Sequence, residues 1–360
     1  MSTLPVFVGL DYHQSTVQVC VVDAAGKVLL NRACENRWQT LRDAVLAAGR
    51  PVRVAIEACT GASDLAQELV DHAGWSVDLA HTTYVARMKR QPDKTDYSDA
   101  RMLADLTRVG YLPQVWLPPA YIRDLRRLVS LRNSLVSQRR NLKLRLTGLL
   151  RDHRVTIPHS RWTMPWIKKV QAPETLPTVG HLIAVEILDQ LKDIMARIGR
   201  VEDQMELFTQ GDPIVSYLRT LPCVGPVTSW VLRAFIGDIT RFKNGKQLAH
   251  YCGLSPGNAS SGKKVADSGL VNTGNTLLRA TLIELGQRLA RTQERWKTMR
   301  TQMKARGKAQ CVIVAAIANR FIRAAYYPWK QTELSRIAPT ATSLGSGVMN
   351  PHTGEVSSSR

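Results

Sequence analysis

Two short apolar runs near the N-terminus each stop at an acid, and that pattern limits the fold more than any other feature of the chain. Pro5-Val6-Phe7-Val8-Gly9-Leu10-Asp11 reads as a strand ending in Asp11, and Val52-Arg53-Val54-Ala55-Ile56-Glu57 as a strand ending in Glu57. Between them lie a second strand over 16–22, a turn at Asp23-Ala24-Ala25-Gly26-Lys27, a third strand over 28–30 and helical periodicity over 38–48. After Glu57 come the small-residue turn Ala58-Cys59-Thr60-Gly61, a helix over 63–73 and a fifth strand over 76–80. The order β-β-β-α-β-α-β predicts an α/β domain. Ligands of such sheets gather near strand ends, which singles out Asp11 and Glu57. Each alone also fits an ordinary polar strand end.

Residues 94–106 add a second pair of acids. Asp96 and Asp99 stand three apart at the start of a run in which Ala100, Leu103 and Leu106 recur at helical spacing, so both carboxylates share one helix face. Like charges this close repel unless a cation lies between them, and hard oxygen donors suit Mg²⁺ or Mn²⁺. An acidic first turn is also what the helix dipole favours, so the spacing by itself leaves both readings open. In context, Asp11, Glu57, Asp96 and Asp99 form a four-carboxylate set able to hold two divalent ions for phosphoryl transfer. The order of elements is that of the ribonuclease-H-like pattern. Asp93 and Asp105 have no comparable placement and are read as solvated.

The charge of the chain is unevenly spread. Of a net +20, residues 1–118 carry −1, 119–154 carry +8, 155–212 carry −2 and 213–360 carry +15. A near-neutral module joined to strongly basic ones points to phosphate backbones as partners. It points away from membranes, because the basic segments lack aromatic anchors and there is neither an apolar run of transmembrane length nor a signal-peptide pattern. The six cysteines (20, 34, 59, 223, 252, 311) have no CxxC or zinc spacing and read mostly as small buried hydrophobes.

The segment 119–212 reads as a helical arm. Its first helix, 121–154, carries Leu128, Leu131, Leu135, Leu142 and Leu149 at heptad places, interrupted by Gln138 and Arg145. Arg126, Arg127, Arg139 and Arg140 are candidate nucleic-acid contacts on its other faces. A Pro- and Trp-bearing loop follows, then a helix over 181–208 with the seam Ile187, Leu191, Ile194, Ile198, Val201, Met205, Phe208 in 4-3 steps. That seam fits either a coiled coil between chains or two helices of one chain packed together.

The segment 213–330 opens with Leu221-Pro222-Cys223-Val224-Gly225, which resembles a helix-hairpin-helix turn with Cys223 where a glycine is usual. A plain helix–helix connection fits equally. Next come Gly253-Leu254-Ser255-Pro256, Ser260-Ser261-Gly262-Lys263-Lys264 and Gly274-Asn275-Thr276-Leu277-Leu278-Arg279. A serine in a Gly-bounded turn beside Lys263, Lys264 and Arg279 has phosphate-binding neighbours, yet most such turns are solvated loops. Two amphipathic helices, over 276–291 and 311–327, have basic flanks, and Trp230, Trp296 and Trp329 read as core. Residues 331–360 are rich in Ser, Thr and Gly and read as a disordered tail.

Gly9-Leu10-Asp11-Tyr12-His13, Ala55-Ile56-Glu57-Ala58-Cys59-Thr60-Gly61-Ala62 and Lys94-Thr95-Asp96-Tyr97-Ser98-Asp99-Ala100-Arg101 together resemble the DEDD, RuvC-like domain of transposases of the insertion sequence 110 family, the bridge-RNA-guided recombinases. The C-terminal motifs resemble the transposase domain of the same family. The resemblance implies a RuvC-like domain over 1–118, a coiled-coil arm over 119–212 and a mainly helical transposase domain over 213–330. It implies Mg²⁺ (or Mn²⁺) on Asp11, Glu57, Asp96 and Asp99, and a nucleophilic serine in the SSG segment. By position this is Ser261, with Ser260 as the alternate. It further implies donor and target DNA, a structured non-coding guide RNA, a homo-oligomer (a dimer assembling to a tetramer) and a bacterial, cytoplasmic, nucleoid-associated setting. Two other functions fit the residues: a metal-dependent junction nuclease that uses water, and a non-catalytic nucleic-acid scaffold.

Overall fold

A computed structural model describes residues 4–88, 95–158, 161–258, 267–271 and 274–337. The chain forms two compact units, 1–119 and 120–360.

The first unit is a mixed α/β domain. Its elements are β1 (Pro5–Tyr12), β2 (Thr16–Val22), β3 (Val28–Glu35), α1 (Trp38–Ala48), β4 (Arg50–Glu57), α2 (Ala62–Ala73), β5 (Val77–Ala80), α3 (Thr82–Met88), α4 (Asp96–Arg108) and β6 (Gln114–Val115). The six strands form one sheet in the order β3-β2-β1-β4-β5-β6. β1, β2 and β3 make an antiparallel meander, β4 and β5 run parallel to β1, and β6 closes the edge antiparallel to β5. The β3 strand is longer than the 28–30 expected, because it pairs with β2 as far as Glu35.

Period-two alternation separates the two faces of the sheet. Val6, Val8, Leu10, Val54 and Ile56 lie in one core with Leu41, Leu65 and Leu69 of α1 and α2. On the other face Cys20 and Val22 meet Ala100 and Ala104 of α4, and Ala55 and Ala80 meet Leu103. That face is built from small residues, and Gly9 is the extreme case. A Cβ there would lie 2.5 Å from Ala104 N, and closer still to the Ala100 carbonyl oxygen. The absence of a side chain at Gly9 is what lets α4 lie directly on β1.

The second unit is mostly helical: α5 (Ala120–Asp152), α6 (Met164–Gln171), α7 (Thr178–Phe208), α8 (Pro213–Thr220), α9 (Pro226–Ile236), α10 (Gly245–Tyr251), the hairpin β7 (Pro256–Asn258) and β8 (Asp267–Leu270), then α11 (Thr276–Thr292), α12 (Glu294–Ala305) and α13 (Gln310–Ile337). The seam of α7 lies against α5 of the same chain. Leu142, Leu146 and Leu150 share a core with Ile187, Leu188 and Leu191, and Leu125 and Val129 share another with Met205. The two helices therefore run antiparallel, with Arg132 Nη2 2.6 Å from Glu202 Oε1. Of the expected heptad leucines, Leu142 is buried and Leu128 and Leu149 pack against the cores, but Leu131 is 50% exposed, and Leu125, Val129, Leu146 and Leu150 complete the buried stripe of α5. Gln138 and Arg145 interrupt nothing, because both are exposed and off the true stripe.

Trp230, Trp296 and Trp329 are core residues, as expected. The basic flank 294–305 is itself a helix, α12. α13 continues past the expected start of the tail to Ile337, because Glu333 is fully buried and bonds Arg233 and Arg336. Cys223 adopts φ +63° in the turn between α8 and α9, a left-handed conformation more usual for glycine.

Candidate active site

The same alternation that builds the α4 face delivers the acids. Asp11 lies two residues beyond Gly9 and Glu57 two beyond Ala55, so each extends the small-residue face at the end of its strand. β1 and β4 are parallel neighbours with Leu10 opposite Ile56, which sets Asp11 and Glu57 side by side at the end of the sheet. α4 begins over the same end. Thr95 caps it by accepting from Ser98 N at 3.2 Å, and Ser98 Oγ in turn takes the Thr95 N–H, a capping box that holds the first turn in place. Tyr97 O accepts from Asn31 Nδ2 at 3.1 Å, fastening that turn to β3.

The result is a convergence of acids around one imidazole. His13 Nε2 lies 3.2 Å from Asp96 Oδ2 and 3.6 Å from Asp11 Oδ2. Ligand atoms of Asp11, His13 and Asp96 all fall within 4.8 Å of one another, close enough to share one ion. Asp99 is buried, at 5% exposure, one turn along α4. The carboxyl of Asp11 is pushed above the usual carboxylate range, first by burial; His13 opposes the shift, and the charges of Asp99, Asp96 and Glu57 add to it. The other three acids therefore all act on Asp11. Carboxylates gathered in this way are ones that a divalent cation would relieve. The carboxylate oxygens are hard donors that suit a divalent cation, and the imidazole nitrogen of His13 is the softer donor of the set.

His13 is the site residue that sequence reasoning missed. Its signal was present, since it stands two residues after Asp11 in the run Gly9-Leu10-Asp11-Tyr12-His13, on the same side of the extended chain. Gly61 begins the next helix. It has φ +89° at the start of α2, and a Cβ there would meet the Tyr12 ring, 2.7 Å from Cζ. Asp105 is tied to Arg108 at 3.2 Å and takes no part.

Two of the second unit's motifs play structural parts among the described residues. Gly253 (φ +69°) ends α10, and Leu254 turns back into the core, its N–H bonded to Ala249 O. Gly274 (φ +87°) leaves no room for a Cβ beside the Tyr251 carbonyl oxygen, and Asn275 caps α11 by accepting from Leu278 N at 3.0 Å. Arg279 Nη2 donates to Val271 O at 2.8 Å, at the foot of the β7–β8 hairpin. One of the guanidinium's donors is thus given to backbone. Arg126 Nε likewise donates to Ala234 O at 2.7 Å, and its guanidinium lies near the Phe235 ring. Arg127 pairs with Asp124, and Arg140 is exposed. Arg139 is half-buried beside Lys143, which lies over the Trp162 ring. Ser260, Ser261, Lys263 and Lys264 lie outside the described residues; in sequence they join the paired strands β7 and β8. Among the described residues no helix is long and apolar enough to cross a membrane.

Comparison with known proteins finds two matching family models. Residues 8–154 match the DEDD model of IS110, described as transposase, and residues 215–301 match the model described as transposase IS116/IS110/IS902 family. Among curated proteins the chain is 27% identical over 328 residues to the "Probable family 20 transposase" of Pseudomonas aeruginosa, covering 88% of this chain and 94% of that protein. It is 25% identical over 321 residues to the transposase for insertion sequence element IS1111A of Coxiella burnetii, covering 87% of this chain and 86% of that one. A transposase for insertion sequence element IS1328 of Yersinia enterocolitica is 22% identical over 323 residues, 89% of this chain and 95% of its own.

Proposed function

We propose that this chain, which belongs to the IS116/IS110/IS902 family of transposases, is an RNA-guided DNA recombinase that cuts and rejoins strands through a phosphoserine. The observation that carries the reading is the gathering of Asp11, Asp96 and His13 within 4.8 Å, with Glu57 and Asp99 adding their charge at Asp11. Asp11, Glu57, Asp96 and Asp99 would hold Mg²⁺ or Mn²⁺. Bound there, the ions would neutralise charge developing on the phosphoryl oxygens.

The chain's own groups do the rest. Asp11 and Glu57 stand on the ends of a rigid sheet and Asp96 and Asp99 on a capped helix, so the donors are preorganised. Ser261 (or Ser260) gives up its Oγ proton as it bonds the phosphorus; the P–O3′ bond breaks and O3′ leaves as a hydroxyl, taking up a proton. Attack by a 3′-hydroxyl of the exchanged strand reverses the step. One phosphodiester is kept for each one broken, and no nucleotide triphosphate is consumed. Lys263 and Lys264 would steady the phosphate. The basic balance of 119–154 and 213–360 supports binding to donor DNA, target DNA and a structured guide RNA. Exposed Val179, Leu182 and Met195 on α7 support a homo-oligomer, a dimer assembling to a tetramer.

The test is a covalent adduct. A DNA substrate unable to complete exchange, supplied with guide RNA and Mg²⁺, should trap a denaturation-resistant protein–DNA species. Ser261→Ala should remove it and spare binding, and Asp99→Asn should do the same. Cleavage that proceeds without any adduct makes water the nucleophile and the chain a junction nuclease.

A further inference from the structure

The second unit contains a cavity of about 640 Å³ between α10, α13 and the β7–β8 hairpin. This is within the roughly 300–1,000 Å³ range of small-molecule sites. Its walls are apolar and small: Leu254, Pro256 and Leu270 on one side, Ala315 and Ala316 on the other. Three cations, Lys246, Arg320 and Arg323, complete the lining, and no carboxylate is among its described residues. Arg320 leans on Met299 Sδ at 3.3 Å, and among the described residues none of the three has an acidic partner. The shape is held from below. Asn319 Nδ2 donates to Leu254 O at 3.0 Å, leaving its Oδ1 as an acceptor, and α10 packs so tightly on α13 that a Cβ at Gly245 would lie 2.8 Å from Arg323 O.

An apolar slot rimmed by three exposed cations, which have no acidic partner among the described residues, suits a ligand with an apolar body and a negatively charged handle. A purely aliphatic ligand would leave three charges unused, and an apolar side chain from a protein partner would bring no anion to them. A paired base would not enter, since both its faces and one edge are occupied in the duplex. We propose that this cavity receives one unpaired nucleotide of the bound nucleic acid, its base between the alanine face of α13 and the hairpin, its phosphates on Lys246, Arg320 and Arg323. The hairpin over the slot is the one whose connecting residues 259–266 include Ser260 and Ser261. The inference rests on the reading that the chain acts on nucleic acid.

The full chain would be tested in Ca²⁺ against fluorescent DNA duplexes of equal length, one fully paired, one with a two-nucleotide deoxy bulge and one with a ribonucleotide bulge. A bulged duplex should bind about fivefold or more tightly than the paired one, the low end for one sequestered base because no aromatic side chain among the described residues lines the slot to stack on it. The deoxy and ribo bulges tell whether the DNA or the guide RNA supplies the nucleotide. Val312→Trp, at the exposed rim, and Ala316→Trp, on the wall, should each erase the preference and leave paired binding within about twofold. Cys311, exposed at the rim, should be alkylated by iodoacetamide about fivefold more slowly in the bulged complex. Equal binding of paired and bulged duplexes, or a preference that survives both tryptophans, overturns the pocket alone. Failure to bind any duplex overturns the nucleic-acid reading with it. Protection of Cys311 that grows with protein concentration in the absence of DNA also overturns the proposal, by assigning the cavity to a second copy.

Discussion

Replacing Gly9 with alanine adds one methyl group, 2 residues from Asp11, and should separate the two halves of the candidate active site. The added Cβ would sit 2.5 Å from Ala104 N and nearer to Ala100 O, whereas ordinary contact begins at 3.4 Å. Both obstacles are helix backbone, which has no rotamer to change. Relief therefore requires α4 to lift from β1 by about 1 Å. The packing cost of such an insertion is about 1–3 kcal/mol. Because Asp96 and Asp99 ride on α4 while Asp11 and His13 belong to β1 and its extension, the same lift lengthens the 3.2 Å approach of His13 to Asp96. A misplacement of about 1 Å costs on the order of a hundredfold in a positioned reaction. Gly9→Ala should thus lower the urea midpoint by an amount equivalent to about 1–3 kcal/mol. It should reduce metal-dependent strand cleavage about a hundredfold, with duplex binding by fluorescence anisotropy unchanged. A variant with wild-type stability and wild-type cleavage would refute the argument that the missing side chain sets the site.

Three further outcomes follow from particular contacts. Asp11 has a folded-state pKa above its ordinary value, so its charged form is disfavoured by folding, and the wild-type protein loses stability as the pH rises through that pKa; at neutral pH in chelator, Asp11→Asn should melt higher than wild type, and Mg²⁺ should raise the wild-type Tm more than the variant's, which differential scanning fluorimetry would read. Asp212 is opposed by burial but held below the usual carboxylate range by Arg233 Nε at 2.8 Å, by the Ile214 N–H and by the Tyr121 hydroxyl; it contributes stability above the ordinary carboxylate range that is lost as the pH falls through and below it. Asp212→Asn, which keeps the helix cap, should cost about 3 kcal/mol at neutral pH and flatten that acid limb in urea titrations. Cys223 occupies φ +63° with its Sγ 3.2 Å from Thr292 Oγ1; Cys223→Gly should change stability by less than about 1 kcal/mol, while the β-branched Cys223→Val should cost about 1–2 kcal/mol in the same measurement.

The sequence by itself determined whatever depends on neighbours a few residues apart. Strand alternation placed Asp11 and Glu57 at strand ends, the 4-3 seam of α7 marked its buried side, and the acidic start of α4 followed from its spacing, because pleat and helical pitch are local properties. Gly274 and Asn275 were legible as a motif, although their duties, a close approach to Tyr251 and a helix cap, were not. Only the tertiary structure decided which stripe of α5 is buried, since a helix with leucines on several faces takes its orientation from the partner it meets, here α7 and α9. Only the tertiary structure gave Arg126 and Arg279 their backbone acceptors, Ala234 O and Val271 O, and brought His13 between Asp11 and Asp96, which is 83 residues away from it in the chain. An arginine's partner is chosen among carbonyls 8 or 108 positions distant, as at Arg279 and Arg126. No local periodicity encodes that choice; it is made when the chain closes and every buried donor must find an acceptor.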